Sequence, residues 1–184
     1  MEKQTVLVLL GLNDQQNAQI QAAAPDWEFL HASREEVTDE QLARAQVILG
    51  NPRPQQLQKA HRLRWVQLSS AGTDMYAAGA LPDGVILTSA TGSYGPAISE
   101  HLLAMTLALM KDLPLYRDNQ RGARAWAPVD WVRYVEGSTV LVLGLGNIGG
   151  AYARKMKALG TTVIGVRRAG TDRPDYLDEL HHTQ

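Results

Sequence analysis

The residues best suited to chemistry in this sequence are the glycines of "GLGNIG", Gly144, Gly146 and Gly149, set between an apolar run, "TVLVL", and a helix-like stretch, "AYARKMKALG". In such a setting the first glycine permits a tight turn, the second lets backbone amides approach a pyrophosphate, and the third lets the helix pack close to the strand. The N–H groups that open the helix, among them those of Asn147 and Ile148, then face an anion together with the positive end of the helix dipole. A second apolar run, "TVIGV", follows and ends in Arg167 and Arg168. About 20 residues past the first glycine, a ribose 2′-hydroxyl is usually met by Asp or Glu. Guanidinium groups in that region suit a 2′-phosphate instead. The pattern therefore predicts a dinucleotide site that takes NADP(H) in preference to NAD(H). Two plainer readings stay open: glycines that serve only a close strand-to-helix turn, and an arginine that points into solvent.

The elements that must position these residues alternate along the chain. "TVLVLLG" reads as a buried strand and "DQQNAQIQAAA" as a helix ended by Pro25; "WEFLHA" is a strand, and Thr38 and Gln41 stand at capping-box spacing before "QVILG". Helix-like "PQQLQKAHRL" and strand-like "RWVQLSS" and "GVILTSA" complete the series. Strand and helix alternating at this interval predict a parallel sheet covered on both faces. From Pro96 to about Arg121 the pattern becomes one long helix, apolar on nearly all sides and so expected to be buried between layers or domains. An irregular stretch with Trp126, Pro128 and Trp131 follows, either a loop or an arm against another subunit. A boundary near residue 95 gives a first domain over 1–95 and a second over 96–184.

Composition removes whole classes of function. The chain has 184 residues, 45% of them hydrophobic and 20% charged, which is the make-up of an ordinary globular protein. A net charge of −1 provides no basic field for nucleic acid or an anionic membrane. The longest strongly apolar stretch, Leu102 to Met110, is too short to cross a bilayer, and the start lacks a signal peptide's cleavage region, so a cytoplasmic protein is expected. The absence of cysteine excludes disulfides, thiolate nucleophiles and cysteine-based metal sites. The five histidines show no helical ligand spacing with a carboxylate, so no metal site is expected.

Four blocks in order, "LRWVQLSSAGTD" (63–74), "GSYGPAISEHLLAMTLAL" (92–109), Trp126, and "VLVLGLGNIGGAYARKMKALGTTVIGVRR" (140–168), resemble the D-isomer-specific 2-hydroxyacid dehydrogenase family, and most of all its glyoxylate and hydroxypyruvate reductase-like members. The first sixty residues match in strand and helix rhythm only. The resemblance implies an α/β fold with parallel sheets: a flavodoxin-like substrate domain followed by the first half of a Rossmann nucleotide-binding domain. It implies that the loop at Ser70, Ala71 and Gly72 offers backbone N–H groups to a substrate carboxylate, which small residues permit; an ordinary tight turn is the equal alternative. Glu100 and His101 are expected to pack and cap rather than catalyse.

The resemblance further implies hydride transfer between a nicotinamide and C2 of a small 2-oxo or 2-hydroxy acid. A histidine would exchange the proton, with its pKa raised by a glutamate, and an arginine would bind the acid. Those three residues belong to segments after the first βαβ unit and are assigned to no position here; His181 and His182 match no catalytic motif. The chain is accordingly expected to be the N-terminal portion of a dehydrogenase, inactive alone, with "DRPDYLDELHHTQ" approaching the third Rossmann strand. Open apolar strand edges predict a partner, either the remainder of the protein or a second copy, and the family's usual association implies a homodimer. Two other classes are a non-catalytic dinucleotide-binding protein of the corepressor kind and an inert product.

Overall fold

A computed structural model describes residues 3–76, 79–122, 124, 126–127 and 132–183. The chain divides into two compact units, Met1–Thr91 and Gly92–Gln184. Both are α/β with wholly parallel sheets. Among the described residues no helix is long and apolar enough to cross a membrane.

In the first unit β1 (Thr5–Val8), β2 (Glu28–His31), β3 (Val47–Leu49), β4 (Trp65–Gln67) and β5 (Ile86–Thr88) form a sheet of order β2-β1-β3-β4-β5. This is the flavodoxin-like doubly wound order. Register sorts the side chains. Leu7, Ile48 and Val66 lie side by side and fully buried on one face, where α2 (Asp39–Arg44) and α3 (Pro54–Leu57) contribute Leu42 and Leu57 to the same cluster. Val6, Val8 and Val47 face the other way and meet Ile20 of α1 (Asp14–Ala23). Burying each such leucine or valine stabilises the fold by about 1.5–3 kcal/mol. The Thr38 side chain accepts the Gln41 N–H and the Gln41 side chain accepts that of Thr38, so the expected capping box starts α2.

The helix expected over "PQQLQKAHRL" stops after one turn at Leu57. Beyond it the backbone turns by i→i+3 bonds, Lys59 N–H to Gln56, Ala60 to Leu57 and Leu63 to Ala60. That three-residue period carries Leu57, Ala60 and Leu63 into the core together.

The second unit begins with α4 (Gly95–Met110) and α5 (Leu113–Arg121), followed by β6 (Thr139–Leu143), α6 (Asn147–Ala158), β7 (Thr162–Arg167) and β8 (Glu179–His182) in a sheet of order β6-β7-β8. One continuous helix from Pro96 to Arg121 is not what forms. Asp112 adopts a left-handed conformation, φ 49°, and the helix restarts at Leu113 with Pro114 in its first turn. In a continuous helix Pro114 would have no N–H for the Met110 carbonyl and its ring would crowd that carbonyl. Nor is α4 enclosed on all sides: Leu103, Leu107 and Met110 pack into the core around Val142, Ala153, Met156 and Val163, while Met105 and Leu109 stay 50% and 67% exposed.

The segment expected only to approach a third strand forms that strand. It is anchored by Asp178, whose carboxylate accepts the Lys157 ammonium at 2.6 Å and the Val163 N–H at 2.7 Å. The hydrogen bond from Lys157, and after it the one from Val163, hold the Asp178 carboxyl below its ordinary pKa. Its two oxygens tie the end of α6 and the start of β7 to the residue that leads into β8. Pro128 and Trp131, two marks of the irregular stretch, lie outside the described residues; Trp126 is 95% exposed.

Candidate dinucleotide site

The glycine turn begins where β6 ends. Gly144 takes φ +92°, a left-handed conformation that side chains resist, and still donates its N–H to the Val166 carbonyl at 2.8 Å. Gly149 is required by space: a Cβ there would stand 1.9 Å from the Gly144 carbonyl oxygen and 3.3 Å from Val142. Gly146 is the N-cap of α6, extended at φ −73° and ψ −163°, and offers no side chain to cap the helix. The first helical bond runs from the Gly150 N–H to the Gly146 carbonyl at 2.8 Å. The N–H groups of Asn147, Ile148 and Gly149 consequently find no acceptor among the described residues, as the opening of any helix dictates. A Cβ at Gly146 would meet no protein atom within 4 Å. Open space therefore lies where the backbone is bare, and the first turn carries no acidic residue to repel an anion.

Parallel pairing of β6 and β7, Leu143 opposite Val166, brings the end of the second strand beside this turn. An open cleft of about 560 Å³ results, lined by Gly144 and Gly146 from the turn, Arg167 and Arg168 from β7 and its exit, and Thr183 beyond β8. The two arginines differ. Arg167 donates to the Asp172 carbonyl, its guanidinium lies against Gly170 such that a Cβ there would be 3.1 Å from Cζ, and its enclosed Nε has no acceptor among the described residues. Arg168 is exposed, and among the described residues it makes no hydrogen bond or ion pair. Arg167 thus fastens the loop after β7, leaving Arg168 with all its donors available to a ligand.

His182 holds the same loop from the other side. Its Nε2 lies 2.8 Å from the Gly170 carbonyl, which requires the proton on Nε2. Sequence reasoning saw no part for this residue, because its value depends on parallel pairing of β8 with β7, Arg167 opposite His182. His181 Nε2 lies 2.9 Å from a Glu179 carboxylate oxygen, but both side chains are more than half exposed and stand two residues apart on one strand, so this is a local surface contact. Glu100 and His101 are exposed within α4, beyond its first turn, and neither packs nor caps as expected.

In the first unit Ser70, Ala71 and Gly72 follow the C-terminal end of β4, the edge at which open parallel sheets bind ligands. The Ser70 carbonyl accepts the Ala90 N–H at 2.9 Å and the Ser70 hydroxyl donates to the Gly72 carbonyl at 3.1 Å. The N–H groups of Ala71 and Gly72 have no acceptor among the described residues. Asn51, in the loop after β3, was not singled out by sequence. Its Oδ1 accepts both the Ser69 N–H at 2.9 Å and the Ser69 hydroxyl at 3.1 Å, bracing the loop at its root. The available signal was an Asn directly after a predicted buried strand, in "VILGN".

Comparison with known proteins bears on what this arrangement is. Residues 103–183 match the family model of the D-isomer specific 2-hydroxyacid dehydrogenase, NAD binding domain. The structure superposes with a TM-score of 0.85 on a D-isomer specific 2-hydroxyacid dehydrogenase family protein from Aeromonas salmonicida, at 30% identity, over 99% of this chain and 59% of that one. Residues 103–183 thus match the NAD binding domain of the D-isomer specific 2-hydroxyacid dehydrogenase family, and the chain as a whole shares the fold of a protein of that family.

A D-lactate dehydrogenase of Streptococcus agalactiae is 32% identical over 111 residues, 59% of this chain and 34% of its own length. A Streptomyces coelicolor protein described as an uncharacterized protein in the mprR 3′ region is 35% identical over 124 residues, 67% of this chain and 44% of its own. The chain thus spans less than half the length of the curated relatives it matches. The matched residues 103–183 include the whole glycine turn and both arginines; Ser70, Ala71 and Gly72 fall before them.

Proposed function

We propose that this chain holds a nicotinamide dinucleotide, NADP(H) in preference to NAD(H), for an oxidoreductase that reduces a small 2-oxo acid of the glyoxylate or hydroxypyruvate kind. The observation that carries this reading is a guanidinium without a partner among the described residues, Arg168, in the same cleft as the bare turn at Gly144 and Gly146. The unfilled N–H groups of Asn147, Ile148 and Gly149 suit a pyrophosphate, and the left-handed Gly144 and crowded Gly149 explain why this backbone has no side chains in its way. Arg168 would take a ribose 2′-phosphate in a two-pronged hydrogen bond, while Arg167 and His182 fix the loop that carries it.

When bound, the dihydronicotinamide supplies a hydride to the carbonyl carbon of the acid. The chain's own contribution to the acid would be the N–H groups of Ala71 and Gly72, with Ser70 and Asn51 holding them in place. The test is NADPH consumption on adding glyoxylate or hydroxypyruvate to the complete polypeptide that carries this sequence. Turnover dependent on either acid supports the reading. NADPH bound but never consumed would favour a dinucleotide-binding interaction protein of the corepressor kind.

A further inference from the structure

At its first residue α6 approaches the start of α4 closely. A Cβ built on Gly95, the first residue of α4, would stand 2.5 Å from Oδ1 and 3.0 Å from Cγ and Nδ2 of Asn147, the first residue of α6. Gly95 is buried, and the Asn147 carboxamide rests on its bare Cα. Among the described residues Asn147 has no hydrogen bond from its side chain, so this packing is what fixes it. The two helices are held together further along, Lys155 donating to the buried Ser99 hydroxyl at 3.0 Å and Tyr152 meeting Thr106 at 2.8 Å. The space at Gly95 is therefore set by the helix pair and does not open to accept a methyl group.

We propose that Gly95 is a positioning residue for the dinucleotide: its missing side chain seats the Asn147 carboxamide on α4 and keeps it clear of the phosphate-facing N–H groups of the first turn of α6. The proposal rests on the pyrophosphate reading of that turn. A methyl group at 95 must displace Asn147, because the atoms it meets are the end of a rotatable side chain and those move before a helix does. Asn147 itself carries one of the N–H groups concerned, so a carboxamide driven off Gly95 takes up room beside them.

The experiment is a titration of NADPH into the chain and into G95A, N147A and the double variant. Gly95→Ala is expected to weaken binding roughly five- to tenfold, and Asn147→Ala in that background to restore it to the level of N147A alone. Gly95 precedes Pro96, and a non-glycine residue in helical conformation there is strained for a separate reason. Loss from that strain is unaffected by Asn147, so failure of N147A to rescue overturns the proposal, as does unchanged binding by G95A. Absence of NADPH binding by the unmutated chain instead removes the pyrophosphate reading itself.

Discussion

Gly149→Ala is expected to abolish dinucleotide binding and to destabilise the second unit by about 1–3 kcal/mol. The added Cβ would stand 1.9 Å from the Gly144 carbonyl oxygen, and a backbone atom cannot rotate aside as a side-chain end can. Gly144 is itself tied by its N–H to Val166, and Gly150 by its N–H to Gly146, so relief requires the strand end or the whole first turn of α6 to shift. Either movement redirects the N–H groups of Asn147, Ile148 and Gly149. Gly146→Ala separates the two effects: its Cβ meets nothing within 4 Å, so thermal unfolding should be little changed while binding is lost, because the methyl group stands where the phosphates belong. Thermal denaturation and NADPH titration of both variants check this. Equal binding by either variant and the unmutated chain would contradict it.

Arg168→Asp is expected to weaken NADPH binding by about 10- to 100-fold, the loss of hydrogen bonds between charged partners, and to leave NADH the preferred ligand. A carboxylate in that place repels a 2′-phosphate and accepts hydrogen bonds from a free ribose hydroxyl. Arg167→Asp should behave differently. It removes the donor to Asp172 and the guanidinium packed against Gly170, so the loop after β7 loosens and both dinucleotides bind less well with little change in their ratio. Paired titrations with NADPH and NADH distinguish the two outcomes; a change of preference on replacing Arg167 alone would reverse the roles given to the arginines.

Much of the fold was legible because it is written in local patterns. The short apolar runs became parallel strands, Thr38 and Gln41 became a capping box, and the glycines of the turn fell between strand and helix, as their spacing required. What escaped depended on single residues acting against a strong background. Pro114 and the left-handed Asp112 cut an apolar stretch whose composition favours continuation. In "LDELHHTQ" the strand β8 is polar because it lies at an edge of its sheet with His181 and His182 exposed, and it carries no continuous apolar run.

The candidate site divides in the same way. Glycine spacing and two arginines after a strand pointed to one end of a dinucleotide, and the sheet register brings them to one cleft. Which arginine lacks a partner among the described residues was hidden, since that follows from the loop at Gly170 and Asp172 folding back on Arg167. Asn51 and His182 were hidden for a related reason: each acts on a segment distant in sequence, the first on Ser69 and the second on Gly170.

The most direct test of the account is calorimetric titration of the unmutated chain with NADPH and, separately, with NADH. Saturable heats with both, tighter for NADPH, are the predicted result. Tighter binding of NADH would overturn the assignment of Arg168, and no measurable heat from either would contradict the claim that the backbone from Gly144 to Gly149 receives a pyrophosphate.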